Sequence, residues 1–395
     1  MVLVFLLIGC CALVLALPAC SDLVSVASLR RRRSPAAAAP GAPVPRLLAL
    51  IPAHNEELLI GGCLESLARL EYPGNRLRVV VIADNCSDRT AALARRAGVL
   101  CLERHQPASP GKPRAIAWAL ELLPLHDYDA IVILDADTIV DPGFAAALAT
   151  AAPLNHKAVQ GYNGVSNPAD SALTRMAAVF ADAKCDFAYA LKQRAGLNVP
   201  VRLGGCIGTA VLASRGWEAF SIGEDWELYA LLTARGVRIE GVAAARVYAQ
   251  EARGLRQSAS QRKRWAAGRL TVLARAAGPL LRSREIGFRQ KLDTLAELSA
   301  PGPVVHLGIA SVTAGLTIGL HPPAAAALLA LLIMGVARHA VYTVAALMRQ
   351  PRPGRALLAF AFLPFYGLWR LTVELAALRM LGDKPWVRTE RHEHA

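Results

Sequence analysis

No Cys-x-x-Cys pair occurs among the 8 cysteines, and no zinc-finger spacing can be drawn from them. Five of them, Cys63, Cys86, Cys101, Cys185 and Cys206, are scattered through the central part of the chain, where free thiols are the expectation. Charge is missing from the first 17 positions, MVLVFLLIGCCALVLAL, and no Lys or Arg precedes that run. A signal peptide has its basic residues before the apolar segment, whereas here Arg30–Arg33 come after it. LPAC, ending at Cys20, has the small-residue look of a lipoprotein cleavage site, but the reversed charge order favours a retained anchor with everything after Arg30 in the cytoplasm.

Nucleotide-binding glycine motifs are missing as well. GKPR (111–114) has Gln106 where a P-loop needs its first glycine and Pro113 where it needs Ser or Thr, so neither an ATPase nor a Rossmann dehydrogenase is supported. The net charge of +14 and pI near 9.8 are accompanied by no RNA-binding aromatic motif and no basic coiled coil, so nucleic acid is not an expected partner. Much of the basic charge flanks apolar segments, at Arg30–Arg33, RQPRPGR (349–355) and RTERH (388–392), which points to anionic lipid headgroups.

The chain does have long apolar stretches, at 1–17 and at about 296–320, 323–348 and 355–380. With 54% hydrophobic residues, a mean hydropathy of +0.35 and still 19% charged residues, the 395-residue chain reads as a water-soluble domain joined to membrane segments. The expected layout is an anchor over 1–20, a basic and Pro/Ala-rich linker over 21–45 and an α/β domain over 46–250. Interfacial helices follow over 251–295, then C-terminal membrane or interfacial helices over 296–380 and a tail over 381–395.

Within the α/β domain, RLLALIP (46–52), RVVVIAD (78–84), VLCLER (99–104) and AIVILD (130–135) read as short buried strands separated by segments of helical spacing. Strands alternating with helices predict a mostly parallel sheet covered on both faces, with ligands beyond the carboxyl ends of the strands. The first strand ends in PAHNEE (52–57), the second in ADNCSD (83–88) and the fourth in DADT (135–138), so three strand ends converge on one carboxylate-rich edge. Two aspartates one residue apart, Asp135 and Asp137, offer hard oxygen ligands to Mg²⁺ or Mn²⁺, although the same residues are ordinary turn formers.

GGCIGTA (204–210), GEDWEL (223–228) and QRKRW (261–265) follow in that order. The ordered set resembles the family 2 inverting glycosyltransferases, and in particular the membrane-embedded branch of cellulose, chitin and hyaluronan synthases. The resemblance covers nearly the whole chain, from LIPAHNEE to the tail WVRTER (386–391), and implies a GT-A-type nucleotide-sugar domain. It places Asp84 on the nucleotide base, Asp135 and Asp137 beside the diphosphate and its metal, and Glu56, Lys112 and Arg264 on the donor side. Lys112 equally suits a solvated helix start.

Asp225, with Glu224 beside it, is the expected general base, since direct displacement at an anomeric carbon needs a proton acceptor opposite the leaving nucleotide. Its alternative is a helix cap, because it opens the helical segment DWELYALLTARG. Gly223 stands where relatives often have Thr. Gly204, Gly205 and Gly208 are expected to give the acceptor close backbone approach or, more simply, to form a turn. Residues 257–277 read as a basic amphipathic interfacial helix with Gln261, Arg264 and Trp265 turned inward and Arg262 and Lys263 towards headgroups.

The expected activity is transfer of a sugar from a nucleotide diphosphate, UDP-linked by expectation, to a growing glycan by a multi-pass protein of the cell membrane. A lipid-carrier or glycolipid acceptor is the alternative, and a silent nucleotide-sugar or glycan binder is the reading from another class. The last apolar stretch contains Pro364 and an Arg370–Glu374 pair. Two C-terminal spans, preferred over three, keep Lys384, Arg388 and Arg391 in the cytoplasm.

Overall fold

The computed structural model describes residues 1–29 and 43–381. The expectations placed on Arg30–Arg33, on most of the linker and on 386–391 lie outside those residues.

The first elements in chain order are α1 (Val2–Leu29), β1 (Leu47–Ala53), α2 (Ile60–Ala68), β2 (Leu77–Asp84), α3 (Thr90–Arg96), β3 (Leu100–Arg104) and α4 (Lys112–Leu122). Then come β4 (Ala130–Ile133), β5 (Ile139–Val140), α5 (Phe144–Ala149), β6 (Ala158–Val165), α6 (Ala172–Asp182) and α7 (Ala190–Arg194). The run β7 (Gly205–Gly208), α8 (Thr209–Ala213), α9 (Glu224–Ala234) and β8 (Ile239–Ala249) completes the sheet. The C-terminal helices are α10 (Leu255–Arg282), α11 (Phe288–Ser299), α12 (Pro303–Leu320), α13 (Ala325–Met348), α14 (Pro353–Ala359) and α15 (Leu363–Leu378).

Two compact units result. One holds the described residues between 34 and Asn167 together with Asn198–Glu251. Its eight strands run in the order β3-β2-β1-β4-β7-β6-β8-β5, with β1, β2, β3 and β4 mutually parallel and β7 antiparallel to both of its neighbours. β1 registers Leu47 on Leu77 and on Ala130, which brings the polar residues after each strand to one edge. Continuous burial of Leu47–Ile51, Val80–Ala83 and Ala130–Leu134 explains why these strands carry apolar runs rather than alternation, as a sheet covered on both faces requires. The four strands expected from the sequence all form.

The other unit contains α1, Pro168–Leu197 and the described residues from Ala252 on. The single domain expected over 46–250 is thus interrupted. α6, which begins at a Ser171–Thr174 capping box, turns Leu173 and Met176 onto Val304, Ala359 and Tyr366 of the C-terminal helices. Among the described residues, four helices in this unit are long and apolar enough to cross a membrane: Val2–Leu29, Pro303–Leu320, Ala325–Met348 and the composite Pro353–Leu378. Three of them are C-terminal, against the two preferred from the sequence. Pro364, which cannot donate to the preceding turn, sits in the first turn of α15, and a 3₁₀ turn over Phe360–Phe362 carries the backbone past it.

Helix α1 is integrated into this unit. Ala12 and Leu15 pack with Ala310 and Leu332, while Asp22 accepts hydrogen bonds from Arg338 Nε at 2.6 Å and from the Tyr342 hydroxyl at 2.7 Å. Ser21 donates to Asp293 at 2.8 Å, and Lys192 Nζ bridges Asp293 (3.2 Å) and Glu297 (2.8 Å). Each of these buried charges has an opposite partner within hydrogen-bond reach, the condition for keeping ions in an apolar setting. All eight cysteines are free thiols.

Candidate active site

The carboxyl ends of β1, β2 and β3 are laced together by side chains. Asp84 closes β2 directly beside Arg104 at the end of β3, and Arg104 Nη1 donates to Asp84 Oδ1 at 2.6 Å with side chains 3% and 5% exposed. Asn85 Nδ2 donates to the same oxygen, and the Gly111 N–H donates to Oδ2 at 3.1 Å. Arg104 spends its Nη2 on Gln106 Oε1 and the Ser109 carbonyl. Asp84 is therefore an anchored anion that also fixes the start of α4. Asn55 and Asn85 both take positive φ, at 54° and 51°, the conformation that Asn tolerates better than most residues. Across the strand ends, His54 Nδ1 donates to the Asp84 carbonyl at 2.7 Å, and Asn55 Oδ1 accepts from the Ser87 N–H. Glu56 N–H donates to Thr90 Oγ1 at 2.8 Å, and its carbonyl accepts from Leu59 and Ile60, turning β1 into α2.

Next to this lattice, Asp135, Glu224 and Asp225 gather around one lysine. Gly111, at φ +116°, swings the chain into α4, and Lys112 is that helix's first residue. Lys112 Nζ lies 2.8 Å from Asp135 Oδ1 and 3.3 Å from Glu224 Oε1, with the lysine side chain 23% exposed. Burial alone would lower its pKa, but Asp135, Glu224 and Asp225 hold it well above the usual lysine range. Asp225, one residue into α9, is pushed up to about 7: burial contributes most, Glu224 and Asp135 add to it, and Lys112 and Arg202 oppose. The N-cap of α9 is Gly223, and no side chain caps the helix. Gly223 N–H donates to Ser221 Oγ, and Glu227 reaches back to accept from Ser221 N–H at 2.7 Å. Asp225 is thus not the cap, and the Gly223 backbone is tied from both sides.

Such a site, acidic and poised near neutrality at the carboxyl edge of a mostly parallel sheet, invites comparison with known proteins. Residues 45–268, more than half of the chain, match the profile described as glycosyltransferase like family 2. The chain belongs to that family. Among relatives of this chain, the Bacillus subtilis protein named probable glycosyltransferase YdaM is 27% identical over 243 residues, covering 58% of this chain and 56% of its own. An N-acetylglucosaminyltransferase of Rhizobium leguminosarum bv. viciae is 34% identical over 34% of this chain and 32% of its own. A beta-monoglucosyldiacylglycerol synthase of Synechocystis is 33% identical over 25% and 21%. The matched part spans about half or less of these relatives. The mannosyltransferase PcManGT of Pyrobaculum calidifontis, solved with GDP-Man and Mn²⁺, superposes with a TM-score of 0.60 at 18% identity, covering 95% of this chain and 97% of that one. The fold is the mostly parallel α/β arrangement of GT-A glycosyltransferases.

In this family 2 glycosyltransferase the glycine segment is not a turn but strand β7, paired with β4 and β6. The close approach its glycines permit is to the protein itself. A Cβ on Gly208 would lie 2.1 Å from the Asn155 carbonyl, and one on Gly205 2.6 Å from Val201. Gly204 has φ +70° and donates its N–H to the Ile133 carbonyl just ahead of Asp135. Gln261, Arg264 and Trp265 lie on α10, in the unit that holds the candidate membrane helices; Trp265 is 42% exposed. Arg262 does not face outward as expected, because its guanidinium stacks 5.8 Å from the Tyr366 ring of α15. Arg104 and Arg202 escaped the sequence reading. Arg104 ends β3 and Arg202 lies in the coil before β7; neither stands in a motif, and only the fold puts each beside a carboxylate.

The donor set fits a divalent cation completed by substrate. Among the described residues no group of three or more His, Cys, Asp or Glu forms a closed metal cage. Asp135 and Glu224 raise the pKa of Asp225, and all three raise that of Lys112, a concentration of negative charge beside Asp137 that a divalent ion would neutralise. The thiol of Cys63 registers this field, pushed up to about 12 by burial and then by Asp137 and Asp135. Two hard carboxylates with the remaining positions left to water and phosphate suit Mg²⁺ or Mn²⁺.

Proposed function

We propose that the protein is a membrane-bound, inverting glycosyltransferase that moves a hexosyl group from a nucleoside-diphosphate sugar to a growing glycan. The observation that carries this reading is Asp225: a partly buried carboxylate with its pKa raised to about 7, set among Lys112, Glu224 and Asp135. Asp225 takes the acceptor hydroxyl's proton as that oxygen attacks the anomeric carbon, and the bond to the diphosphate breaks on the opposite face. Lys112 meets the charge that develops on the leaving diphosphate. A Mg²⁺ or Mn²⁺ held by Asp135 and Asp137 supplies further neutralisation of that charge. Asp84 holds the base with Arg104 behind it, and Glu56 shapes the adjoining turn. Gly204, bonded to the Ile133 carbonyl at the carboxyl end of β4, keeps the backbone low beside the acceptor, whereas Gly205 and Gly208 serve the packing of β7 inside the sheet. On α10, Gln261 and the Trp265 indole keep the acceptor roles, and Arg264 the diphosphate role, that the QRKRW motif implies. The protein is read as multi-pass in the cell membrane, with the sheet-containing unit cytoplasmic.

A lipid acceptor is the second reading, favoured by the local identity to a glycolipid synthase. The test is incubation of the purified protein with a panel of UDP- and GDP-sugars, with and without diacylglycerol-type lipid, followed by sizing of the product and NMR of its anomeric carbon. Polymer of inverted configuration without added lipid supports the first reading, and a single-sugar glycolipid the second. Retained configuration would overturn the assignment of Asp225.

A further inference from the structure

One ammonium group, on Lys112, bridges the first aspartate of the Asp-x-Asp pair and the carboxylate next to the proposed base. Its backbone is held in place, since Gly111 is tied to Asp84 and only Gly111's φ of +116° lets α4 start there. A divalent ion bound through Asp135 would put like charge within a few ångströms of that ammonium, where partial burial leaves the repulsion poorly screened. The two cations therefore compete for one carboxylate.

We propose that Lys112 is an internal counter-cation: in the donor-free protein it holds Asp135 and Glu224 together and competes with the divalent ion, and it is released from them to the diphosphate when donor binds. This rests on the metal reading given above. It separates from simple donor binding by the sign of two affinities. Without the ammonium, a divalent cation should bind more tightly and a nucleoside diphosphate more weakly. A lysine that only contacts donor leaves the first affinity unchanged.

The experiment uses the full-length protein in detergent. Mn²⁺ binding without nucleotide is read from loss of the free-ion EPR signal, and UDP and GDP binding in EDTA by calorimetry. Lys112→Gln should tighten Mn²⁺ by roughly three- to tenfold and weaken the preferred nucleoside diphosphate at least about threefold, the range of a partly exposed ion pair made twice over. Lys112→Arg, which keeps the charge, should stay within about twofold of the parent for Mn²⁺. A measurement on the unmodified chain needs no variant: saturating Mn²⁺ alone should raise the acetylation rate of Lys112, read by peptide mass spectrometry, because the freed amine is less paired. Mn²⁺ that binds equally or more weakly in Lys112→Gln, or that leaves acetylation of Lys112 unchanged, overturns the counter-cation role alone. No Mn²⁺ binding to the parent, even with millimolar nucleoside diphosphate, overturns the metal reading and this proposal with it.

Discussion

Replacing Asp225 with Asn tests the base against every structural alternative, because the two roles predict opposite signs in stability and activity. The carboxyl group has a pKa of about 7 in the folded protein against an ordinary 3.8, so folding favours its protonated form. The penalty for ionising it is absent well below 3.8, develops as pH rises towards 7 and is fully present above that. At 1.36 kcal/mol per pH unit the full penalty is about 4 kcal/mol, and solvent screening at a partly exposed side chain brings the expected figure to about 1–3 kcal/mol. Asp225→Asn lacks it. Its thermal midpoint at pH 8 should therefore exceed the parent's by about 2–6 °C, with a smaller advantage at pH 5. Transfer should fall by at least ~10²-fold with donor affinity nearly unchanged. In the parent, kcat/KM should rise about tenfold per pH unit up to about 7 and then level off, as the ionised base accumulates. Fluorimetric melting at both pH values and a radiolabelled transfer assay measure these effects. A variant that transfers near the parent rate, or whose midpoint advantage does not grow with pH, would remove Asp225 from the mechanism.

Asp137→Ala, or excess EDTA on the parent, should abolish transfer, with Mn²⁺ restoring only the EDTA-treated parent; full turnover in EDTA would dismiss the metal. Gly208→Ala drives a methyl into the Asn155 and Leu154 carbonyls at about 2 Å and should destabilise the protein by about 3 kcal/mol or more, visible as a lower midpoint or loss of soluble expression; an unchanged midpoint would mean that β7 is not packed as described. In a cysteine-free background, exposed Arg69→Cys should react with a membrane-impermeant maleimide only after cells are opened, and labelling of intact cells would reverse the orientation.

Four strands, their parallel pairing and the carboxylate-rich edge were legible because each rests on local pattern: an apolar run long enough for a strand, then Asp or Asn where the chain must turn. Asp135, Lys112, Glu224 and Asp225 were named from residue type and motif order, and the fold brings them together. What the sequence alone does not carry is which charge meets which. Arg104 and Arg202 are some twenty residues from the carboxylates they face; the first is brought there by the β2–β3 register, the second by the coil that enters β7. The same holds for GGCIGTA, which by composition suits either close acceptor approach or a turn but is mostly a buried antiparallel strand, since Gly208 answers to the carbonyls of Leu154 and Asn155, some fifty residues earlier. Pro168–Leu197, too, reads as part of the α/β domain until α6 has an apolar face to cover and finds its partners on the C-terminal helices. Local chemistry determined the elements and most of the candidate site. Long-range packing alone decided the partners, because burial and Coulomb interaction depend on distance in space and not along the chain.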